Sequence, residues 1–249
     1  MRLVGHKGAD SIRSGNTIES FKAAVEVGVD TIELDVLRPR ADFVASDDWR
    51  SAAAGPVAEP GGPLLIAHDW GDARRREPLT LAEGLDAFES APLDRVRLDL
   101  DLKIAGREDE VVSSLRQRGL IERAAISTME ASSLRELRRL EPALPLGWTM
   151  PRITRDWNSI WWAKPLVIAG LVSLRRRLPG IVRRGASQLG IGSLWAYHPV
   201  ITPQLVRACH EANLELIAWT VDELDQMRRL AELGVDGICS NDPRLFAEL

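Results

Sequence analysis

Thr31-Ile32-Glu33-Leu34-Asp35-Val36 is the stretch on which the fold turns. It reads as a buried strand carrying two acids one residue apart. Side chains of a strand alternate between faces, so Glu33 and Asp35 project together while Ile32, Leu34 and Val36 pack on the opposite side. Two carboxylates on one face of an apolar strand repel each other and lose hydration. One reading places a divalent cation between them. The other places the strand end at solvent, where both acids are hydrated.

Working outward, Leu3-Val4-Gly5 is a short apolar strand that delivers His6-Lys7-Gly8. Asn16-Thr17 then opens a helix whose apolar stripe is Phe21, Ala24 and Val25, and Gly28 ends it before the acid-bearing strand. Strand, helix, strand is one βαβ unit of a parallel sheet. Residues 37–63 break the rhythm with a segment rich in Ala, Gly, Pro and Asp, including a short strand near Phe43. Leu64-Leu65-Ile66-Ala67 follows and delivers His68-Asp69. Thr80 and Glu83 form a capping box. From Val96 to Lys103 the alternation is strict: Leu98, Leu100 and Leu102 on one face, Arg97, Asp99, Asp101 and Lys103 on the other. An exposed edge strand is the alternative for that segment alone, and an Arg97–Asp99 ion pair is one reading of its polar face.

Further strands are expected at 124–127, 144–148, 191–196, 214–219 and 235–239, with helices near 107–118, 131–140, 203–212 and 222–232. Setting the short Leu64 strand aside as part of the excursion at 37–70, the count reaches eight strand–helix units. We therefore expect a single (β/α)8 TIM barrel over residues 1–249. An open doubly wound sheet is the competing architecture, but no Gly-rich phosphate fingerprint follows the first strand.

A helical insertion at 152–190 stands apart from the alternation. Between Ser159 and Arg184 lie Trp161-Trp162, an uncharged run from Pro165 to Leu174, then Arg175-Arg176-Arg177 and Arg183-Arg184. Apolar residues beside clustered arginines suit a helix lying at a lipid interface, so peripheral membrane contact through 159–184 is one expectation. An extra helix packed on the barrel with a solvated basic edge is the other.

The 249 residues have 27 % charged side chains and a formal net charge of −4, which speaks against nucleic acid as a partner. Cys209 and Cys239 make no metal-ligand spacing and read as reduced core thiols. The chain enters its first strand without a signal-like run, and it has no apolar stretch of membrane-spanning length. A cytoplasmic protein is expected, membrane-associated if 159–184 contacts lipid.

In a barrel, strand C-termini share one mouth. His6, Glu33, Asp35, Asp101, Lys103 and Trp219 fall at or near such ends, and His68 ends the excursion strand. Singly each has a structural explanation; together they suit cleavage of a phosphodiester. Three acids hold a hard cation, two histidines of near-neutral pKa act as base and acid, and lysines stabilise charge on the phosphate oxygens. His198 and His210 are read as structural, and Asp99 as support for Asp101.

His6-Lys7-Gly8, Asn16-Thr17 with Phe21, Ile32 to Val36 and His68-Asp69 resemble the N-terminal signature of the glycerophosphodiester phosphodiesterases. Asp101-Leu102-Lys103, Ala218 to Asp222 and Gly234 to Ile238 resemble its later strand ends. The resemblance implies hydrolysis of glycerophosphodiesters to glycerol 3-phosphate and an alcohol. It implies one Mg²⁺ or Ca²⁺ on Glu33, Asp35 and Asp101, and acid–base duty shared by His6 and His68. It also implies a neighbouring glycerol hydroxyl that attacks first to give a cyclic phosphate. Lys7 and Lys103 would contact phosphate, and Trp219 would face the glycerol carbons. The chain departs from the pattern at three positions: Lys7 where the family has Arg, losing a bidentate fork; Gly15 where it has Glu; and Asp101 where it has Glu. A phospholipase D-like enzyme acting on lysophospholipids or sphingolipids, and a non-catalytic headgroup-binding barrel, are the alternatives.

Overall fold

The computed structural model describes residues 1–38, 62–152 and 164–249, so the strand expected near Phe43 and the Trp161-Trp162 pair lie outside the described residues. Eight parallel strands close on themselves: β1 (Arg2–Gly5), β2 (Thr31–Leu37), β4 (Arg97–Leu102), β5 (Ala124–Thr128), β6 (Leu146–Met150), β7 (Ser193–Tyr197), β8 (Glu215–Trp219) and β9 (Gly237–Ser240), which pairs back onto β1. The ninth, β3 (Leu65–Ile66), runs antiparallel onto the end of β2 through Val36 and Leu37. It belongs to the excursion and not to the barrel. The observed strands sit within two residues of their expected limits; β6, for instance, starts at Leu146 instead of Leu144.

Helices cover the outside: α1 (Ile18–Val27), α2 (Trp70–Arg75), α3 (Leu81–Ala87), α4 (Glu108–Gln117), α5 (Ala131–Leu140), α6 (Lys164–Leu189), α7 (Pro203–Glu211) and α8 (Leu224–Leu233). Thr17 caps α1 and Thr80 caps α3 with Glu83, as the sequence signals. Gly28 leaves α1 at φ +92°, a conformation that costs residues with a Cβ.

The two faces of β2 part as alternation demands. Ile32, Leu34 and Val36 are buried in the layer between strands and helices, while Glu33 and Asp35 turn into the barrel. Val4, Trp195, Ile217 and Cys239 fill the barrel interior beneath them. Gly147 makes room there, since a Cβ would meet the Trp195 indole at 2.6 Å. Both cysteines are free and buried.

One expectation changes. The segment expected as an insertion added to the barrel is the barrel's own helix between β6 and β7, lengthened. Leu178, Val182, Ala186 and Leu189 of α6 pack into the core. Gly185 lets the helix lie close over Trp148, where a Cβ would stand 2.8 Å from the ring.

Candidate active site

The parallel register of β2 and β4 sets Asp35 opposite Asp101 and Glu33 opposite Asp99. With β2 on one side and β5 on the other, β4 is an interior strand, and its polar face lines the barrel. One carboxylate oxygen from each of Glu33, Asp35 and Asp101 lies within 4.8 Å of the others, all three residues buried. The three acids expected at one mouth lie side by side there. Arg97 is exposed at the start of β4, and the partner of Asp99 is Ser127, whose Oγ donates to it at 2.6 Å. Burial pushes the Asp99 carboxyl up to about 7 against that hydrogen bond.

Lys103 reaches into the cluster, its Nζ 2.5 Å from Asp35 Oδ1 and bonded also to Asp101. Burial alone would favour neutral lysine, but Asp101, Asp35 and Glu33 outweigh it and keep the ammonium charged. For Asp35 burial likewise opposes ionisation, and Lys103 overrides it, holding the group below the ordinary carboxylate range. Burial and the neighbouring Asp35 charge push Glu33 up. One ammonium among three buried acids leaves the cluster short of positive charge. An all-oxygen donor set of this kind fits a hard divalent cation.

Further contacts fix the acids. Asn16, fully buried with φ +59°, donates from Nδ2 to Asp35 Oδ2 at 2.7 Å and accepts from the Asp35 amide at 3.1 Å. Lys7, at φ +52°, turns its backbone N–H onto Glu33 Oε2 at 2.8 Å. Its ammonium pairs with Asp10 at 2.5 Å, and Asp10 also accepts from the Gly15 amide at 2.7 Å. A Cβ at Gly15 would stand 2.6 Å from Asp10 Oδ1, so Asp10 fills the space that a side chain at 15 would take.

His6 follows β1 directly, and its Nε2 is 3.9 Å from Glu33 Oε2. Its other nitrogen, Nδ1, lies 2.6 Å from Asn241 Oδ1. Asn241 donates from Nδ2 to Asp222 Oδ2 at 2.7 Å, and its amide donates to Asp222 Oδ1 at 2.8 Å. That network settles which way the Asn241 side chain faces, and hence which nitrogen of His6 carries the proton. Nδ1–H donates to Asn241, and the lone pair of Nε2 points at the acids. A near-neutral pKa is corrected here: burial lowers the His6 pKa to about 4, so the ring is neutral at pH 7.

His68 lines a cleft of about 140 Å³ together with Lys7, Gly15, Asn16, Asp69 and Arg75. Its Nδ1 is 3.0 Å from Asp69 Oδ2, a bond that holds the Asp69 carboxyl down at about 2. Its backbone N–H donates to Asp72 Oδ2 at 3.1 Å. Arg76 pairs with Asp72 at 2.8 Å and donates to the carbonyls of Ile66 and Asn16, tying the His68 loop to the Asn16 loop. Trp219, on the far side of the ring of strands, is half-buried and stacks at a tilt on Tyr197 at 5.5 Å. His198 follows Tyr197 at the rim, while His210 bonds Asp236 at 3.0 Å, away from the acids.

Four residues of this arrangement escaped the sequence reading. Asn16 was taken as a candidate helix cap, although Thr17 does the capping. Asp10, Asp222 and Asn241 had no assigned role. Asn16 and Asp222 lay in quoted motifs without a role in the site, because the partners of all four are distant in the chain or hidden in loop conformation.

Fold and site together define a barrel enzyme that hydrolyses phosphoric diesters. Residues 90–245 match the model of the glycerophosphoryl diester phosphodiesterase family, and the chain belongs to that family. A glycerophosphodiester phosphodiesterase of Caldanaerobacter subterraneus subsp. tengcongensis is 27 % identical, with 99 % of this chain and 96 % of that protein covered. A probable glycerophosphodiester phosphodiesterase 2 of Mycobacterium tuberculosis is also 27 % identical, with 99 % and 89 % covered. Among solved structures, a putative glycerophosphoryl diester phosphodiesterase from Silicibacter pomeroyi superposes with a TM-score of 0.69 at 23 % identity, covering 100 % of this chain and 93 % of its own. An Oleispira antarctica phosphodiesterase in complex with sn-glycerol-3-phosphate superposes with a TM-score of 0.66 at 18 % identity, with 100 % and 96 % covered. The protein is thus a phosphodiesterase of the glycerophosphodiester family, and its three buried acids form a group that could hold a metal ion.

Proposed function

We propose that Glu33, Asp35 and Asp101 hold one Mg²⁺ or Ca²⁺ and that His6 is the base and His68 the acid of the cleavage. The observation that carries the assignment is the Asp222–Asn241–His6 chain of hydrogen bonds, which leaves the Nε2 lone pair of a neutral ring facing the carboxylates. A cation on the acids would supply charge neutralisation at a phosphate oxygen. His6 Nε2 takes the proton of the attacking hydroxyl. His68 acts as the imidazolium: it donates Nδ1–H to Asp69 and gives its Nε2 proton to the departing alcohol oxygen, leaving a neutral ring. Lys103 and Lys7 bind the non-bridging oxygens, and Asp10 keeps the Lys7 ammonium turned toward the cleft. Trp219 offers an apolar wall to the glycerol carbons. Location in a reducing cytoplasm accords with the two free buried thiols.

The test is release of glycerol 3-phosphate from glycerophosphocholine and related diesters, with and without chelator. Activity abolished by chelator and restored by Mg²⁺ or Ca²⁺ is the expected result. A chelator-insensitive reaction would remove the metal role from the three acids, and cyclic phosphate as the sole product would redirect the reading to a phospholipase D-like transfer.

A further inference from the structure

We infer that the amino-terminal end of α6 is a docking tip for an anionic lipid surface, placed so that the catalytic mouth faces the lipid. β6 and β7 are parallel, so α6 must run back against them, and its first turns stand on the side of the strand C-termini, where the acids are. Its 26 residues span about 39 Å, against roughly 17 Å for a five-residue strand. The surplus lies at that end: the buried residues of α6 run from Leu178 to Leu189, Leu171 and Leu174 are partly buried against the core before them, and Ile168 stands beyond.

The level of the rim is marked by Arg175, whose Nε donates at 2.6 Å to the carbonyl of Pro199, in the turn that directly follows β7. Ile168 lies seven residues earlier, about 10 Å farther out along the axis. Ile168 is 61 % exposed and Val172, one turn on, 41 %. Apart from the terminal Met1 and Leu249, no other large apolar side chain among the described residues is so exposed. Arg176 and Arg177 follow, both exposed, with no acid paired to either among the described residues.

Charge selects the occupant. From Trp157 to His210 the chain carries Lys164, five arginines of α6 and Arg207, and no Asp or Glu, although the whole protein has a net charge of −4. An apolar tip about 10 Å long with a collar of arginine behind it matches the depth at which interfacial helices seat, with the guanidinium groups level with lipid phosphates. A protein partner would need acids for the arginines and a socket for Ile168. A lipid surface offers both everywhere. Docking stands apart from the chemistry, but its consequence rests on the phosphodiesterase reading: the substrates favoured are glycerophosphodiesters held in a lipid surface.

The experiment is sedimentation of the full chain, in chelator, with vesicles of phosphatidylcholine alone or mixed with phosphatidic acid, a monoester that the hydrolytic site does not cleave. Hydrolysis of water-soluble glycerophosphocholine is measured alongside with metal present. The wild type should bind the anionic vesicles and leave the neutral ones. Ile168→Asp with Val172→Asp, and separately Arg176→Glu with Arg177→Glu, should each weaken binding at least tenfold and leave the soluble reaction unchanged. Absence of wild-type binding, or undiminished binding by the Asp variant, overturns the inference. So does sedimentation velocity showing a wild-type dimer that the Asp variant dissociates, since the tip would then be covered by a second copy. Vesicle binding without soluble hydrolysis would uphold docking and defeat the catalytic reading alone.

Discussion

His6 and His68 are the same residue type in opposite settings, and their proposed roles rest on that contrast. His6 is largely shielded, bonded to a neutral amide and pushed down to about 4 by burial, whereas His68 is exposed beside a carboxylate. Replacing either by Ala should lower kcat by roughly 10²–10⁴-fold, measured as glycerol 3-phosphate release. Asp222→Asn frees the Asn241 amide to rotate, so Nδ1 of His6 loses its fixed acceptor. We expect a fall in kcat of about tenfold or more with little change in KM. The acid limb of the pH profile should move with it, which a purely structural lesion would not produce. Asp99 makes the opposite kind of prediction. Its folded pKa of about 7 lies above the unfolded value of 3.8, so the folded state binds the extra proton and stability is lost as pH rises through that window. Asp99→Asn should raise stability by roughly 1–3 kcal/mol at pH 8 in chelator, and the gain should fade toward pH 4. The titrating groups themselves were legible in the sequence because acids and histidines stand out at strand ends. Asn16, Asn241 and Asp10 were not, because an amide or a loop acid gains meaning only from a partner brought near by folding.

At the scale of elements, one register carries the chemistry: Asp35 beside Asp101 across β2 and β4. Period-two alternation exposed both strands to sequence reading, and the helix caps at Thr17 and Thr80 did the same for α1 and α3. What alternation could not reveal is the loop after β1, where Lys7, Gly8 and Asn16 all take positive φ. The backbone there is bent to aim an N–H at Glu33 and an amide at Asp35. Gly8 holds the tightest point, with φ +85° and Ser20 backbone 2.6 Å from where a Cβ would sit. Gly8→Ala should therefore cost about 2–4 kcal/mol in chemical denaturation. The same substitution should depress activity, because Lys7 and its contact to Glu33 move with it. Helix α6 defeated the reading differently. Its length and apolar run suggested something added to the barrel, since periodicity shows that a helix exists and not which strands it joins.

For the whole molecule, the crowding of acids at one end of the barrel links stability to ion binding. Three buried carboxylates share one ammonium, so a cation bound only by the folded state stabilises it by about 2.7 kcal/mol at a hundred times its Kd. Adding Mg²⁺ or Ca²⁺ to chelated protein should raise Tm, and Asp35→Asn with Glu33→Gln should abolish the rise. Glu33 and Asp101, both pushed up by burial, hold their protons to higher pH than free carboxylates, so the effect of metal on Tm should shrink as pH falls.

The hydrogen-bonded run from His6 to Asn241 and Asp222 ties the segment after β1 to those after β9 and β8. His6, the proposed base, gains its Asn241 acceptor only when β9 has paired with β1. Conditions that loosen the pairing of β9 with β1 should therefore silence turnover before the rest of the barrel melts.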